Sequence, residues 1–211
     1  MYVPAFSAID DDEARAIVAD IGSGWLVTAS ADGPPTATLM PVLWRDDRVV
    51  AHMARANPHW REIADGTPGL LIVGGPEAYI SPSWYASKAE HGRVVPTWNY
   101  LAVHLSGSVT IRPESEWVRA LVTDLTEHHE RDRVDRWHVT DAPDEFIDAQ
   151  LKAIVGVEML VERVEGKAKL SQNRTDADRR GVVAGLGAED GGRDAAVIAV
   201  AMAAAIDART D

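Results

Sequence analysis

The chain has 211 residues, 46% of them hydrophobic, and no cysteine, so it can bury a substantial core but cannot form disulfides, thiolate zinc sites or cysteine-ligated iron–sulfur clusters. Its formal net charge is −12, with acids and bases interspersed, and it lacks the basic stripe that phosphate-backbone binding needs; direct DNA or RNA contact is not expected. The longest apolar run, Ala195 to Ile206, has twelve residues against the roughly 20 needed to cross a bilayer, so no membrane span is expected.

Met1 to Glu13 turns acidic at Asp10-Asp11-Asp12 and lacks the basic start and apolar stretch of a signal peptide, which, with the absence of cysteine, points to a cytoplasmic protein. A helix follows. Ala14, Ile17, Val18 and Ile21 keep helical spacing, Asp10 and Glu13 stand in the relation of a capping box, and Gly22 is the stop. Trp25 to Thr28, Thr36 to Trp44 and Val49 to Met53 read as strands of an antiparallel meander, with turns at Ala31 to Pro35 and Arg45 to Asp47. Asn57-Pro58 then opens a short helix through Trp60 and Ile63 to Asp65, ended by Gly66.

Two further strands, Leu70 to Val73 and Glu77 to Ile80, are expected on either side of Gly74-Gly75-Pro76. A surface excursion from Ser81 to Arg93 precedes a long strand, Trp98 to Ile111. Pro113 opens a helix with Trp117, Val118, Leu121, Val122 and Leu125 on one face, and Asp141-Ala142-Pro143 opens another with Ile147, Leu151 and Ile154. Val155 to Val164 is the closing strand, Thr175 to Leu186 a short helix or loop, and Gly185 to Asp194 a linker before an alanine-rich helix. These elements describe an α+β protein with an antiparallel barrel core: one domain over residues 1–186 and a helical tail over 187–211.

Five of the thirteen aromatic residues lie between positions 79 and 100, each beside Ser, Thr, Asn or Pro, the make-up of a pocket wall with polar handles and hence of a site for a planar ligand. In Pro96-Thr97-Trp98-Asn99-Tyr100, alternation sets Trp98 and Tyr100 on one face and Thr97 and Asn99 on the other. That arrangement serves a cofactor wall or a buried strand equally. Ser81-Pro82-Ser83-Trp84-Tyr85 carries an aromatic pair that anchors the excursion to its own sheet or to a second subunit, the second role being preferred. In His52-Met53-Ala54-Arg55-Ala56-Asn57-Pro58-His59-Trp60, a strand end runs through an arginine into a helix N-terminus, which can cradle a phosphate or be no more than a capped helix. Lys169-Leu170-Ser171-Gln172-Asn173-Arg174 concentrates cations and hydrogen-bonding groups suited to a phosphate, a ring edge or a helix cap. The adjacent His128 and His129 diverge on their helix and no paired histidine spacing exists, so no metal site is expected.

Taken in order, Met1-Tyr2-Val3-Pro4, His52 to Trp60, Gly75 to Tyr85, Val95 to Tyr100 with Val103-His104, and Lys169 to Arg174 with Asp178-Arg179 and Gly181 resemble the PaiB-type FMN-binding negative transcriptional regulators. That family is similar to the pyridoxamine-phosphate-oxidase-like split barrels. The resemblance implies an antiparallel split β-barrel with flanking helices, a homodimer, and FMN in a groove near the subunit interface. By the same resemblance, Thr38, Leu39, Met40 and Pro41 would run along the ring, His52, Met53 and Ala54 beside it, and Arg55 and Asn57 would take the phosphate. Trp98, Asn99, Lys169, Gln172 and Arg174 would support ring or phosphate. Members of the family read Thr-His-Leu-Pro where this chain has Thr38-Leu39-Met40-Pro41, a departure that opens the barrel to deazaflavin as an alternative to FMN. The resemblance implies a regulator that responds to flavin. The rival expectation is a flavin- or deazaflavin-dependent oxidoreductase acting on a small molecule, with His52, Tyr85, His104 and Arg174 as candidate supporting groups.

Overall fold

A computed structural model describes residues 1–29, 33–189 and 191–207. The chain divides into two compact units, each assembled from separate stretches: residues 1–14, 74–103 and 165 onward form one, and residues 15–73 with 104–164 form the other. Seven strands are hydrogen-bonded in the order β1-β7-β4-β3-β2-β5-β6, and an additional β7–β6 pairing closes the barrel. They are β1 (Ala8–Ile9), β2 (Ser23–Thr28), β3 (Thr36–Arg45), β4 (Arg48–Ala54), β5 (Thr67–Ile80), β6 (Thr97–Arg112) and β7 (Ile154–Lys169). No helix among the described residues is long and apolar enough to cross a membrane.

The meander β2-β3-β4 forms as its sequence predicts; two residues of the first turn, 31 and 32, lie outside the described residues. Each strand places alternate residues inward. Leu26 is opposite Thr38, Gly24 is opposite Met40, and Ala51 and Met53 are opposite Val157 and Val155, nearly all of them fully buried. This period-two burial is the main apolar stabilisation of the second unit, at about 25 cal/mol per Å² removed from water. Helix α1 (Asp11–Ile21) starts on the predicted capping box, with Asp10 N–H donating to Glu13 and Glu13 N–H to Asp10, and ends at Gly22 in the left-handed region. Helices α4 (Ser115–Glu130) and α5 (Asp144–Leu151) bury Val118, Ile147 and Leu151 together. Ile154 joins that cluster from the first position of β7, not from the helix face expected of it.

Four further expectations change. Gly74-Gly75-Pro76 does not interrupt the strand: β5 runs unbroken for 14 residues, because sheet pairing overrides local turn preference. The helix after Asn57 is α2 (His59–Glu62), a single turn. The preferred subunit-contact role for Trp84-Tyr85 gives way to packing inside the first unit: Tyr85 is buried, and Trp84 lies over Gly185 and Gly181 of α6 (Asp176–Ala188), where any β-carbon would collide with it. Helix α3 (Ser87–His91) completes that excursion. The linker expected from Gly185 shrinks, since α6 continues to Ala188 and α7 (Gly192–Asp207) packs its Ala195, Ile198 and Met202 with Val182 and Leu186 of α6.

Barrel closure in the second unit depends on one close approach of backbones. A β-carbon on Gly107 of β6 would fall on the carbonyl oxygen of Leu160 in β7, where no flexible side chain can give way. Gly107→Ala is therefore expected to destabilise the protein by about 3 kcal/mol. Chemical denaturation checks this, the midpoint falling with the slope unchanged; an unmoved midpoint refutes the close approach.

Candidate functional site

The β3–β4 ladder pairs Arg45 with Arg48, then Trp44 with Val49, Leu43 with Val50 and Val42 with Ala51, and stops there, although β3 reaches back to Thr36 and β4 on to Ala54. The next pair would be Pro41 with His52. Strand parity is fixed by Val42 N–H donating to Gly22 on the β2 side and by Arg55 N–H donating to Ala153 on the β7 side. Position 41 therefore faces β4, and a residue there would donate its N–H to His52. Proline has none. The ladder ends at the first rung it cannot complete, while β3 stays paired with β2 as far as Thr36 and β4 with β7 as far as Ala54. By the same parity His52 N–H still donates to Pro41 C=O, which makes the Val42–Ala51 pair, whereas His52 C=O and Leu39 N–H and C=O point into the gap without ladder partners. This is the split, and the predicted residues Thr38, Leu39, Met40, Pro41, His52, Met53 and Ala54 form its two edges. Met40 and Met53 point into the core, whereas Leu39 is 53% exposed, so its side chain lies outside the barrel and its backbone lines the gap.

Beyond β4 the chain turns, with Asn57 N–H donating to Ala54 C=O. The Asn57 carboxamide is held at both ends: Oδ1 accepts from His59 N–H at 3.0 Å, and Nδ2 donates to Thr38 Oγ1 at 3.0 Å. His59 is fully buried, with Nδ1 2.8 Å from Thr38 Oγ1 and Nε2 2.9 Å from Thr28 Oγ1. A chain of neutral hydrogen bonds thus links the turn after β4 to β3 and β2. Arg55 donates Nε to Lys152 C=O and Nη2 to Ile154 C=O, which fixes its plane and leaves Nη1 uncommitted. Its guanidinium lies 5.7 Å from the Trp60 ring centroid, that of Arg61 lies 5.0 Å from it, and Trp60 Nε1 donates to Arg55 C=O. Two cations therefore flank one indole. The single turn of α2 offers little dipole, so these cations outweigh the helix N-terminus that the sequence suggested.

Burial holds the pKa of His52 below the ordinary histidine value, and its buried Nδ1 has no hydrogen-bond partner. Burial also lowers His59, against a smaller upward pull from Glu62.

The remaining predicted residues belong to the first unit. Asn99 is fully buried, donating to Ser171 Oγ and Met202 Sδ and accepting from Ser171, so its amide braces β6 against the turn after β7. Gln172 closes the end of β7 by accepting from Leu170 N–H and donating to Ala168 C=O. Lys169 donates to Thr97 Oγ1 and Trp98 C=O, and burial lowers its pKa. Trp98 is half-exposed and meets Tyr79 edge-on, and Arg174 lies 4.7 Å over the Tyr85 ring. Ser171, at φ 59°, is the turn's left-handed residue. Burial alone would raise the Asp178 carboxyl; the N–H and hydroxyl of Ser87, the Thr175 hydroxyl and the Arg174 charge overcome it and hold the pKa low. Sequence reasoning missed Thr28, His59, Arg61, Ser87 and, as an anchor, Asp178. Only Arg61, three positions from Pro58 beside a tryptophan, carried a local signal.

The family model for a "Putative FMN-binding domain" matches residues 1–163. "Protease synthase and sporulation protein PAI 2" of Bacillus subtilis (strain 168) is 33% identical over 195 residues, 90% of this chain and 91% of that one. Among solved structures, the FAD and Heme binding protein from Mycobacterium smegmatis superposes with a TM-score of 0.58 at 17% identity, over 83% of this chain and 78% of that one. The flavocytochrome Anf3 from Azotobacter vinelandii gives 0.55 at 15% identity, over 81% and 70%. These two are likenesses of fold: an antiparallel split barrel.

The lowered histidines set an acid response. Below the ordinary value of 6.5 the unfolded chain takes up protons at His52 and His59 that the folded chain resists. Stability is therefore fully present above that pH and declines as pH falls through the lowered folded values. Asp178 adds a second loss as pH falls below 3.8 and through its depressed folded value. Denaturation midpoints measured from pH 8 to pH 3 should fall in these two stages, and His52→Gln should diminish the first; a flat profile from pH 7 to pH 5 contradicts the assignment.

Proposed function

This chain belongs to the FMN-binding domain family, and from that membership we propose that it holds a flavin, FMN, in the split between β3 and β4. The observation that carries the reading is the ladder lost at Pro41, which leaves two strand edges facing each other with unspent N–H and C=O groups. A planar heterocycle with donors and acceptors along both edges is the ligand class that satisfies such a slot. The open N–H and C=O of Leu39 and the C=O of His52 would take the ring edges, the unpartnered His52 Nδ1 would add a polar contact, and Arg55 with Arg61 would take the phosphate. A bound flavin supplies electron acceptance and donation; the chain's own residues bind it, orient it and exclude water.

The biological role in this reading is that of the PaiB type, a cytoplasmic flavin-responsive regulator of gene expression, in keeping with the sporulation protein it resembles. The net charge of −12 favours action through a protein partner over direct DNA contact. A second copy of the chain is the natural cover for an apolar row on the outer sheet face, where half-exposed Trp25 stands in register between Leu39 and Ile72. A homodimer is therefore part of the proposal.

Purified protein should carry a stoichiometric chromophore that is released on denaturation and matches FMN, not FAD or deazaflavin. Arg55→Ala is expected to weaken FMN binding by at least about tenfold, as loss of a charge-assisted phosphate contact implies. Titration of the reconstituted protein by flavin fluorescence decides it. A protein that neither contains nor takes up FMN refutes the reading.

A further inference from the structure

Asn57, Thr38, His59 and Thr28 contain one undetermined proton, and burial decides where it lies. Asn57 cannot flip, because His59 N–H requires the carbonyl oxygen of its amide; Nδ2 therefore donates to Thr38 Oγ1 and fills one of its lone pairs. Two arrangements of the His59 ring remain. If Nε2 carried the proton, Thr28 would accept it and its own hydroxyl hydrogen would be left with no acceptor at a residue only 5% exposed. If Nδ1 carries it, Thr28 donates to Nε2, Nδ1 donates to Thr38, and every buried donor is used. The hydrogen left over then belongs to Thr38, the part-exposed member, which sits on the stretch of β3 that has lost its β4 partner. The second arrangement removes an unsatisfied buried donor and is the stable one.

We infer that His59 is a positioning residue which, as its Nδ1–H tautomer, fills the second lone pair of Thr38 and converts that hydroxyl into a fixed hydrogen-bond donor beside the split. Both lone pairs of Thr38 are then occupied, one by Asn57 and one by His59, so the hydroxyl can only donate. It selects a ligand edge that presents an acceptor, a carbonyl oxygen or a bare ring nitrogen, over an edge that presents N–H. The inference rests on the split being the flavin site, where such a donor favours the reduced ring, whose negative charge is greater. Thr28 touches no ligand in this scheme. It acts only by holding Nε2 bare.

The test compares wild type, Thr28→Val, Thr28→Ser and Thr38→Val, all reconstituted with FMN, through FMN affinity and the midpoint potential of the bound flavin. Thr38→Val should weaken binding about tenfold, the worth of one directed hydrogen bond, and shift the potential negative. Thr28→Val, nearly isosteric and remote from the ligand, frees the ring to change tautomer; Thr38 then donates back to Nδ1, and the potential shifts in the same direction. Thr28→Ser should restore wild-type behaviour. A Thr28→Val protein that folds and binds FMN with wild-type affinity and potential overturns the inference. If wild type takes up no FMN, the flavin reading fails, and 15N NMR of His59 in the free protein decides the tautomer: a protonated Nδ1 with bare Nε2 sustains it, and a protonated Nε2 overturns it.

Discussion

One missing N–H organises the second unit. Pro41 cannot complete its rung with His52, and from that point β3 and β4 follow different neighbours, one held by β2 and the other by β7. An unpaired backbone group costs about 1–3 kcal/mol when buried and little when it meets water or a ligand. The opening is therefore confined to where the groups can be satisfied from outside. The barrel keeps its apolar lining through Met40, Val42, Ala51 and Met53 right up to that edge, so the gap interrupts hydrogen bonding without exposing the core. Across the gap, side chains replace the backbone: Asn57 and His59 tie the turn after β4 to Thr38 and Thr28 with three bonds of 2.8–3.0 Å.

Each unit holds a buried polar cluster, and these two clusters are satisfied differently. In the second, the buried chain through His59 is neutral throughout, and desolvation favours that state. In the first, Asp178 is buried as an anion, with Ser87 N–H and hydroxyl, Thr175 and Arg174 gathered on it. That carboxylate tethers α3 to α6, while Trp84 rests over Gly181 and Gly185 of the same helix. Gly185 admits the indole and Gly181 admits the main-chain carbonyl of Trp84, so the approach needs glycine at both positions. The excursion between β5 and β6 is thus fastened by a charge and by a flat aromatic contact, and it is part of a core.

Features that depend on neighbours a few residues apart were legible in the sequence: the capping box of α1, the meander, the helix start after Asn57 though not its length, and the alternation that separates Trp98 from Asn99. The resemblance of the ordered motifs carried the family and the barrel type. Features built from distant partners were not legible. His59 meets Thr28 across 31 positions, and Asp178 meets Ser87 across 91. Gly74-Gly75-Pro76 read as a turn because propensity is local, whereas the continuity of β5 is a property of the sheet. The Trp84 pair looked like a surface tip because its glycine bed lies about a hundred residues away. Pro41 was visible all along; its consequence depended on which edge of β3 faced β4, and only the register supplies that.

Leu39 departs from the family pattern at the position expected to touch the ring, yet its side chain points away from the barrel. Since the gap presents main chain along that edge, the chemistry offered to a ligand there is nearly independent of which amino acid occupies position 39. A substitution at position 39 alters the outer sheet face, where Trp25 stands opposite it, and leaves the hydrogen-bonding groups of the gap in place. Surface chemistry and gap chemistry are thus set separately, one by the side chain and the other by the main chain of the same residue.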